Sequence, residues 1–313
     1  MTAAVSTRKA WLMAARPQTL PAAAAPVLVG TGLAVRTGVF DPLPAVVALV
    51  GALLLQIGTN FANDYYDAVR GADTEEREGF TRVTAGGLIE PGAVKRAMYA
   101  TFGLSILVGT SLVYVGGVPI LVVGLASVVA GITYTGGPLP YGYRGLGDVF
   151  VFVFFGLVAV AGTYYVQAVG GVADPFPLWV PAGTVPASAV VAALPAAGLS
   201  TAILVINNVR DRETDAASGK RTLAVALGYR ASRIEWSALV GLAYAVPVVF
   251  FLDSYGPAVL APLLTAPLAV RVGATVWRRR DGDALNPALE RTGKLLFAHS
   301  ALFAAGLAAP AVV

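Results

Sequence analysis

The sequence has no cysteine and only one histidine among its 313 residues. No disulfide or thiolate chemistry is therefore available to this chain. Charged residues are also scarce, at 13% of the chain against about 25% in soluble domains. Hydrophobic residues make up 57%, against roughly 45–50% in soluble domains. This balance excludes an ordinary water-soluble domain and predicts a polytopic membrane protein.

Long apolar runs take the place of the missing charge. Windows of about 17–22 apolar residues cross roughly 30 Å of hydrocarbon. Gly116 and Gly117 join the third and fourth windows, and residues 253–256 join the seventh and eighth, so we expect tight helical hairpins at both places. The sequence predicts an all-α bundle of about nine transmembrane helices, forming a single domain over residues 1–313. The nine windows lie near 19–35, 42–60, 97–115, 118–135, 148–170, 186–207, 236–252, 256–276 and 295–312.

The basic residues are distributed unevenly between the loops that these windows define. If the N-terminus is cytosolic, 21 of the 22 Lys and Arg residues lie on the cytosolic side, and only Arg36 lies on the other. This asymmetry follows the positive-inside rule. It predicts a multi-pass protein of the cytoplasmic cell membrane. The net charge of +4 then reflects topology, and no nucleic-acid partner is expected because no basic recognition module is present.

Two polar stretches interrupt this apolar background. Residues 60–67, Asn-Phe-Ala-Asn-Asp-Tyr-Tyr-Asp, follow the second window, and residues 207–215, Asn-Asn-Val-Arg-Asp-Arg-Glu-Thr-Asp, follow the sixth. Nine of the 18 acidic residues fall within 64–78 and 211–215. Carboxylates beside hydrocarbon are costly unless a metal or a bound polyanion offsets their desolvation. Because both stretches end on the cytosolic side, they predict one shared site.

The spacing within each stretch predicts how its oxygen atoms are presented. Asn63 and Asp67 are four residues apart, as are Asp211 and Asp215, so each pair lies on one face of a helical turn. Two such pairs of hard oxygen ligands suit Mg²⁺ carrying a substrate diphosphate. The alternative is that these carboxylates are solvated and only cap helices. The matched spacing and the shared side argue against it.

Basic residues follow each acidic stretch. Arg82 comes after the first, and Lys220 and Arg221 come after the second. Cations at these positions would bind phosphate oxygens that a metal leaves uncovered. Each could instead be an interfacial anchor that only fixes topology.

These residues resemble the UbiA-type intramembrane aromatic prenyltransferases. The family pattern Asn-Asp-x-x-Asp matches residues 63–67, and Asp-x-x-x-Asp matches residues 211–215. Where many relatives place a third acid, this chain has Gly71, with Asp73 two residues later. That form is similar to the branch of the family that acts on 1,4-dihydroxy-2-naphthoate. Further segments with the look of that branch are Arg16-Pro-Gln-Thr-Leu-Pro21, Tyr134-Thr-Gly-Gly-Pro-Leu-Pro140, Tyr143-Arg-Gly-Leu-Gly-Asp148 and Gly219-Lys-Arg-Thr-Leu223.

The resemblance implies a reaction and a set of site residues. A polyprenyl group would pass from an isoprenoid diphosphate to 1,4-dihydroxy-2-naphthoate, with loss of carbon dioxide and diphosphate, to give demethylmenaquinone. Asn63, Asp67, Asp211 and Asp215 would hold Mg²⁺, with Asp64 as a further catalytic residue. Rings around an allylic cation would come from Tyr65, Tyr66, Tyr134 and Tyr141. The implied substrate-binding residues are Arg16, Asn60, Asp73, Arg82, Tyr134, Tyr141, Asn207, Asn208, Arg210, Lys220 and Arg221.

Two alternatives remain at this point. A UbiA-type enzyme could use another acceptor, such as 4-hydroxybenzoate, homogentisate, haem or a glycerol phosphate lipid. A secondary transporter would also have many spans, but its charges should lie near the bilayer midplane and not at one mouth. Prenyl length and oligomeric state stay open.

Overall fold

The computed structural model describes residues 5–71 and 82–310, and within these ranges it is helical with no β-strand. Short 3-10 turns and two π-helical segments, Val153–Val158 and Phe251–Tyr255, join or extend the helices. The α-helices are α1 (Thr7–Ala15), α2 (Leu20–Arg36), α3 (Pro42–Val69), α4 (Pro91–Thr133), α5 (Gly147–Phe152), α6 (Ala159–Ala168), α7 (Ala187–Arg210), α8 (Arg212–Ala217), α9 (Leu223–Phe250), α10 (Ala266–Arg278) and α11 (Gly282–Ala308).

Seven helical stretches in the described part of the chain are long and apolar enough to cross a membrane. One of them, α4, has 43 residues and breaks at Gly117, where φ is 64°. Its two halves fold back on each other, since a Cβ atom at Gly131 would lie 3.2 Å from the ring of Phe102. Counting α4 as two crossings and adding α11, which has 27 residues, agrees with the prediction of about nine spans.

Both predicted hairpins are confirmed. At Gly117 a side chain would lie 1.9 Å from the carbonyl oxygen of Pro177, so the tip needs glycine for space as well as for its positive φ. The N–H of Val118 donates to that same carbonyl at 3.0 Å. At the other tip, Ser254 and Gly256 have φ values of 66° and 90°.

Several helices extend beyond the apolar windows of the sequence. α3 continues nine residues past position 60 and carries the first acidic stretch inside its last turns. α9 begins at Leu223 and is kinked at Gly228, where φ is 82°, although its window begins near 236. α11 begins at Gly282, although its window begins near 295. Hydropathy marks only the part of a helix that lies in hydrocarbon. The extension of α3 carries Asn63 and Asp67 to the wall of a central cavity, and that of α11 adds Leu289.

Small residues set the distances between the packed helices. A Cβ atom at Gly32 would lie 2.4 Å from the carbonyl oxygen of Ala304, so α2 and α11 touch through their backbones. A Cβ atom at Gly156 would lie 2.1 Å from the Cβ of Ala197, which brings the π-helical segment against α7. Such close approach is typical of helix packing in membranes. The bundle it produces surrounds a cavity.

Candidate active site

The cavity has a volume of about 500 Å³ and opens between the ends of α3 and α7. All four predicted metal ligands line it: Asn63, Asp67, Asp211 and Asp215. Most of its remaining wall is apolar and comes from α2, α4, the π-helical segment and α6. The two acidic stretches, 144 residues apart at Asp67 and Asp211, therefore meet in one site, as the sequence predicts.

Asp67 is buried, and two groups from other segments hold its carboxylate. Arg82 donates from Nη2 at 2.8 Å, and the hydroxyl of Tyr143 donates to the other carboxylate oxygen. One turn earlier, Asn63 accepts a hydrogen bond from Thr135 Oγ1 at 3.1 Å. The first pair of oxygen ligands is thus fixed in orientation.

Asp64 follows Asn63 directly but is not among the residues that line the cavity. It is 1% exposed and accepts hydrogen bonds from the backbone N–H and the hydroxyl of Thr84. Consecutive residues of an α-helix differ by about 100° in direction, so Asp64 faces the 82–90 segment. The structure does not place Asp64 on the cavity wall, so its catalytic role stays a prediction. Its contacts with Thr84 anchor the segment that carries Arg82, and its Oδ1 lies 3.8 Å from Nη2 of Arg16, which does line the cavity.

The second acidic pair lies where α7 passes into α8. The N–H of Asp215 donates to the carbonyl oxygen of Asp211 at 2.7 Å, so the helical turn between them is complete, as predicted from their spacing. Arg210 donates two hydrogen bonds of 2.7 Å to Asp211, from Nε and Nη2. Lys220 Nζ lies 3.5 Å from Asp215 Oδ1.

Three residues predicted to bind substrate do not line the cavity in the described chain. Arg210 is turned into the protein, where it donates to Asn207 and Asn286 as well as to Asp211. Arg221 is exposed and contributes only its backbone N–H, to the carbonyl of Tyr143. These positions follow from the local direction of the backbone, at the end of α7 for Arg210 and between α8 and α9 for Arg221, which spacing along the sequence does not reveal.

Asn60 is the third of these residues. Its Nδ2 donates to the carbonyl oxygen of Ala15 and to Thr19 Oγ1, both at 2.9 Å, so it ties α3 to the segment before α2. The predicted substrate residue Asp73 lies outside the described residues.

The other predicted substrate-binding residues do line the cavity. Arg16, Arg82 and Lys220 place positive charge at the mouth between the two acidic pairs. Lys220 Nζ also lies 4.5 Å from the ring centroid of Tyr143. Such cations can bind phosphate oxygens. The uncharged members of this set are Asn207, Asn208, Tyr134 and Tyr141.

A series of aromatic rings runs along one wall, away from the mouth. The ring centroids of Tyr134 and Tyr141 are 5.4 Å apart, those of Tyr141 and Phe150 are 4.0 Å apart and stacked, and those of Phe150 and Phe154 are 5.9 Å apart. The hydroxyl of Tyr141 donates to the carbonyl oxygen of Ala130 at 2.9 Å. Burial raises the pKa of Tyr141, so this ring stays a neutral phenol.

Sequence reasoning missed Phe150 and Phe154 because they are part of an apolar span. Their i, i+4 spacing puts both on one helix face, and that was the available signal. Tyr65 and Tyr66 were predicted to line the pocket, but they pack against each other with centroids 5.0 Å apart and are absent from the cavity wall.

The chemistry of the polar groups fits a magnesium site. Across residues 5–71 and 82–310, no three His, Cys, Asp or Glu side chains converge on one point. The described residues therefore form no all-protein metal cage. Carboxylate and amide oxygens from two opposed pairs instead match Mg²⁺, which usually takes one or two carboxylates and completes its shell with substrate phosphates and water.

Comparison with known proteins agrees with this arrangement. The UbiA prenyltransferase family profile matches residues 23–301. A protein of Escherichia coli (strain K12) named 1,4-dihydroxy-2-naphthoate octaprenyltransferase is 42% identical over 312 residues, covering 97% of this chain and 96% of its own length.

Solved structures share the fold at low sequence identity. A UbiA homolog from Aeropyrum pernix K1 superimposes with a TM-score of 0.69 at 16% identity, covering 91% of this chain and 96% of that one. A UbiA homolog from Archaeoglobus fulgidus bound to GPP and Mg²⁺ has a TM-score of 0.60 at 15% identity, covering 94% and 99%. The profile match, the identity to the bacterial relative and the shared helical fold show that this chain belongs to the UbiA prenyltransferase family.

Proposed function

We propose that this chain transfers a polyprenyl group from an isoprenoid diphosphate to 1,4-dihydroxy-2-naphthoate. The observation that carries the proposal is the meeting of two acidic pairs and a series of aromatic rings in one cavity. The name of the Escherichia coli relative supports the choice of acceptor. The carbon–oxygen bond to diphosphate breaks, a carbon–carbon bond to the naphthalene ring forms, and the ring carboxylate leaves as carbon dioxide.

The proposed cofactor is Mg²⁺, held by Asn63, Asp67, Asp211 and Asp215. When bound, it neutralises diphosphate and makes it a better leaving group. The homolog bound to GPP and Mg²⁺ supports the choice of ion. In this chain, Arg82 and Tyr143 hold Asp67, and Arg210 holds Asp211, so the carboxylates keep their orientation before substrate arrives.

The cationic side chains at the mouth complete the diphosphate site. Arg82 and Lys220 line the cavity beside the acidic pairs and can bind the phosphate oxygens. Arg16, also on the cavity wall, is the proposed partner of the acceptor carboxylate.

The aromatic wall serves the other half of the prenyl substrate. Departure of diphosphate leaves an allylic cation, which the faces of electron-rich rings stabilise. Tyr134, Tyr141 and Phe150 present such rings next to the mouth. Because Tyr141 stays neutral, it does not offer a phenolate that would capture the cation before the acceptor does.

The experiment uses purified protein, Mg²⁺, a radiolabelled polyprenyl diphosphate and a panel of acceptors. Labelled product should form with 1,4-dihydroxy-2-naphthoate and not with 4-hydroxybenzoate or homogentisate. EDTA should abolish turnover and added Mg²⁺ should restore it. Product formed only from a different acceptor would overturn the proposed substrate, and full activity under chelation would overturn the metal-dependent mechanism.

We further propose that the mouth faces the cytosol at the cytoplasmic membrane, as the distribution of basic residues indicates. The chain has no cysteine, so single substitutions can report its orientation. Ala217→Cys, at the exposed end of α8, should react with an impermeant thiol reagent only in inside-out vesicles. Ser254→Cys, at the opposite hairpin tip, should react only in right-side-out cells. The reverse labelling pattern would invert the proposed orientation.

A further inference from the structure

Two buried polar atoms of uncharged side chains on the cavity wall have no hydrogen-bond partner among the described residues. They are Oε1 of Gln56 and Oγ of Ser200, in side chains that are 8% and 4% exposed. Both residues line the same cavity as the acidic pairs. Leaving such atoms unsatisfied is destabilising, so their presence in an apolar wall needs an explanation.

Neighbouring hydrogen bonds determine which atom of the Gln56 amide is left over. Asn60 Nδ2 donates to the carbonyl oxygen of Ala15, which can only accept, so Asn60 Oδ1 is the atom that faces Gln56. Gln56 must therefore point Nε2 at it, at 3.2 Å, and the same Nε2 donates to Thr19 Oγ1 at 3.1 Å. The unused Gln56 atom is an acceptor.

Ser200 departs from the usual behaviour of hydroxyls in these helices. Thr201, its neighbour, donates to the carbonyl oxygen four residues earlier at 2.8 Å, and Ser127 does the same to Val123 at 2.8 Å. Ser200 makes no such bond. Its hydroxyl is therefore left without a partner in the described part of the chain.

Gln56 and Ser200 occupy equivalent places on the two helices that carry the acidic pairs. Gln56 precedes Asn63 by seven residues and Asp67 by eleven, and Ser200 precedes Asn207 and Asp211 by the same intervals. Seven residues are two helical turns, about 10 Å along the axis. The two side chains thus form a second polar level of the cavity, deeper in the membrane than the oxygen ligands at its mouth.

The chemistry of this level selects among the substrates. A prenyl chain has no polar atom to bind there, and a diphosphate has only acceptor oxygens, which Gln56 Oε1 would repel. A phenolic hydroxyl donates to Oε1 and can also exchange a hydrogen bond with a serine hydroxyl. We propose that Gln56 and Ser200 bind the hydroxyl groups of the aromatic acceptor and so orient its ring. This inference rests on the proposed function, because it requires a hydroxylated aromatic acceptor.

The first test compares Ser200→Ala with Ser127→Ala, which also removes a hydroxyl from the cavity wall, but one already bonded within its own helix. Ser200→Ala should raise the KM for the acceptor about 3- to 10-fold, the value of one hydrogen bond, and leave the KM for polyprenyl diphosphate unchanged. Ser127→Ala should change neither constant. Equal acceptor KM values in both variants would remove Ser200 from the proposal.

The second test pairs protein groups with acceptor groups. The inhibition constants of 1-hydroxy-2-naphthoate and 4-hydroxy-2-naphthoate, each lacking one hydroxyl of the acceptor, are compared with that of 2-naphthoate, which lacks both, in wild type, Ser200→Ala and Gln56→Met. In wild type each hydroxyl should tighten inhibition about 3- to 10-fold. In each variant the benefit of one hydroxyl should disappear. Benefits that persist undiminished in both variants would overturn the inference.

Two readouts separate failure of this inference from failure of the proposed function. Polyprenyl diphosphate binding to Gln56→Met should match wild type, which shows that losing the bonds to Thr19 and Asn60 has not collapsed the site. If wild type turns over 1,4-dihydroxy-2-naphthoate while the variants keep its KM, only the inference fails. If wild type prenylates no hydroxylated aromatic compound, the proposed function fails first.

Discussion

The two acidic stretches present similar oxygen atoms but are held in different ways. Asp67 receives its hydrogen bonds from Arg82 and Tyr143, which are 15 and 76 residues away in the chain. Asp211 receives two from its immediate neighbour, Arg210. Asp67 is therefore held only when two distant segments have docked on α3, whereas Asp211 receives these two hydrogen bonds from the residue next to it in the chain.

The same difference separates the roles of the two arginines. Arg82 lines the cavity, so it can bind a substrate phosphate as well as Asp67. The Arg210 side chain is 1% exposed and is turned away from the cavity toward Asn286. We infer that the first half contributes charge to substrate binding, while the second uses its arginine only to orient a carboxylate.

The largest expected effect comes from the carboxylates themselves. Asp67→Asn and Asp211→Asn should each lower kcat by about 10²-fold or more, since each weakens the proposed site for the Mg²⁺ that would neutralise the departing diphosphate. Initial rates at saturating Mg²⁺ and both substrates check this. Asp174→Asn, in an exposed loop, is the matched control and should keep the wild-type rate. Near-normal rates for both cavity variants would instead support the alternative that these carboxylates only cap helices.

The arginines should separate binding from stability. Arg82→Met should raise the KM for polyprenyl diphosphate about 10-fold or more, because it removes a charge-assisted hydrogen bond. Arg210→Met should instead cost about 3–5 kcal/mol of stability, because it leaves the buried carboxylate of Asp211 without its neighbour. Steady-state kinetics and thermal unfolding in detergent measure the two effects. Equal losses of Tm in both variants would contradict the prediction that Arg82 acts mainly in substrate binding and Arg210 mainly in stability.

The smallest effect is expected at Tyr143. Tyr143→Phe removes one of the two hydrogen bonds to Asp67 and leaves that of Arg82 in place, so kcat should fall by only about 2- to 10-fold. Combined with Arg82→Met, the loss should exceed the product of the single losses, because Asp67 then has neither partner. A double-mutant cycle on kcat/KM measures this coupling, and strict additivity would contradict it.

The number of spans, the two hairpins and the meeting of Asp67 with Asp211 were predictable because they depend on local properties. Apolar length determines a crossing, and glycines between two crossings determine a turn. The direction of each side chain was less accessible. Asp64 and Asp67 look equivalent in the sequence, yet the rotation of α3 places one against Thr84 and the other in the cavity.

The missed residues share a physical cause. Phe150, Phe154 and Gln56 lie in segments whose composition indicates a membrane span, and that signal obscures which face of the helix meets the cavity. Arg210 shows the converse error. A cation beside an acidic pair suggests a residue that binds phosphate. The Arg210 side chain instead donates to acceptors of the protein, and one of them, Asn286 of α11, lies 76 residues further along the chain.

The contact between Gly156 and Ala197 joins the aromatic wall of the cavity to the helix that leads to Asp211. Phe150 and Phe154 lie on the segment that contains or precedes Gly156, and Asp211 lies at the end of α7, the helix that contains Ala197. The two segments are in backbone contact at these residues. The separation between Asp211 and the rings of Phe150 and Phe154 is therefore set by this contact, because Gly156 and Ala197 leave no space for a larger side chain between the two segments.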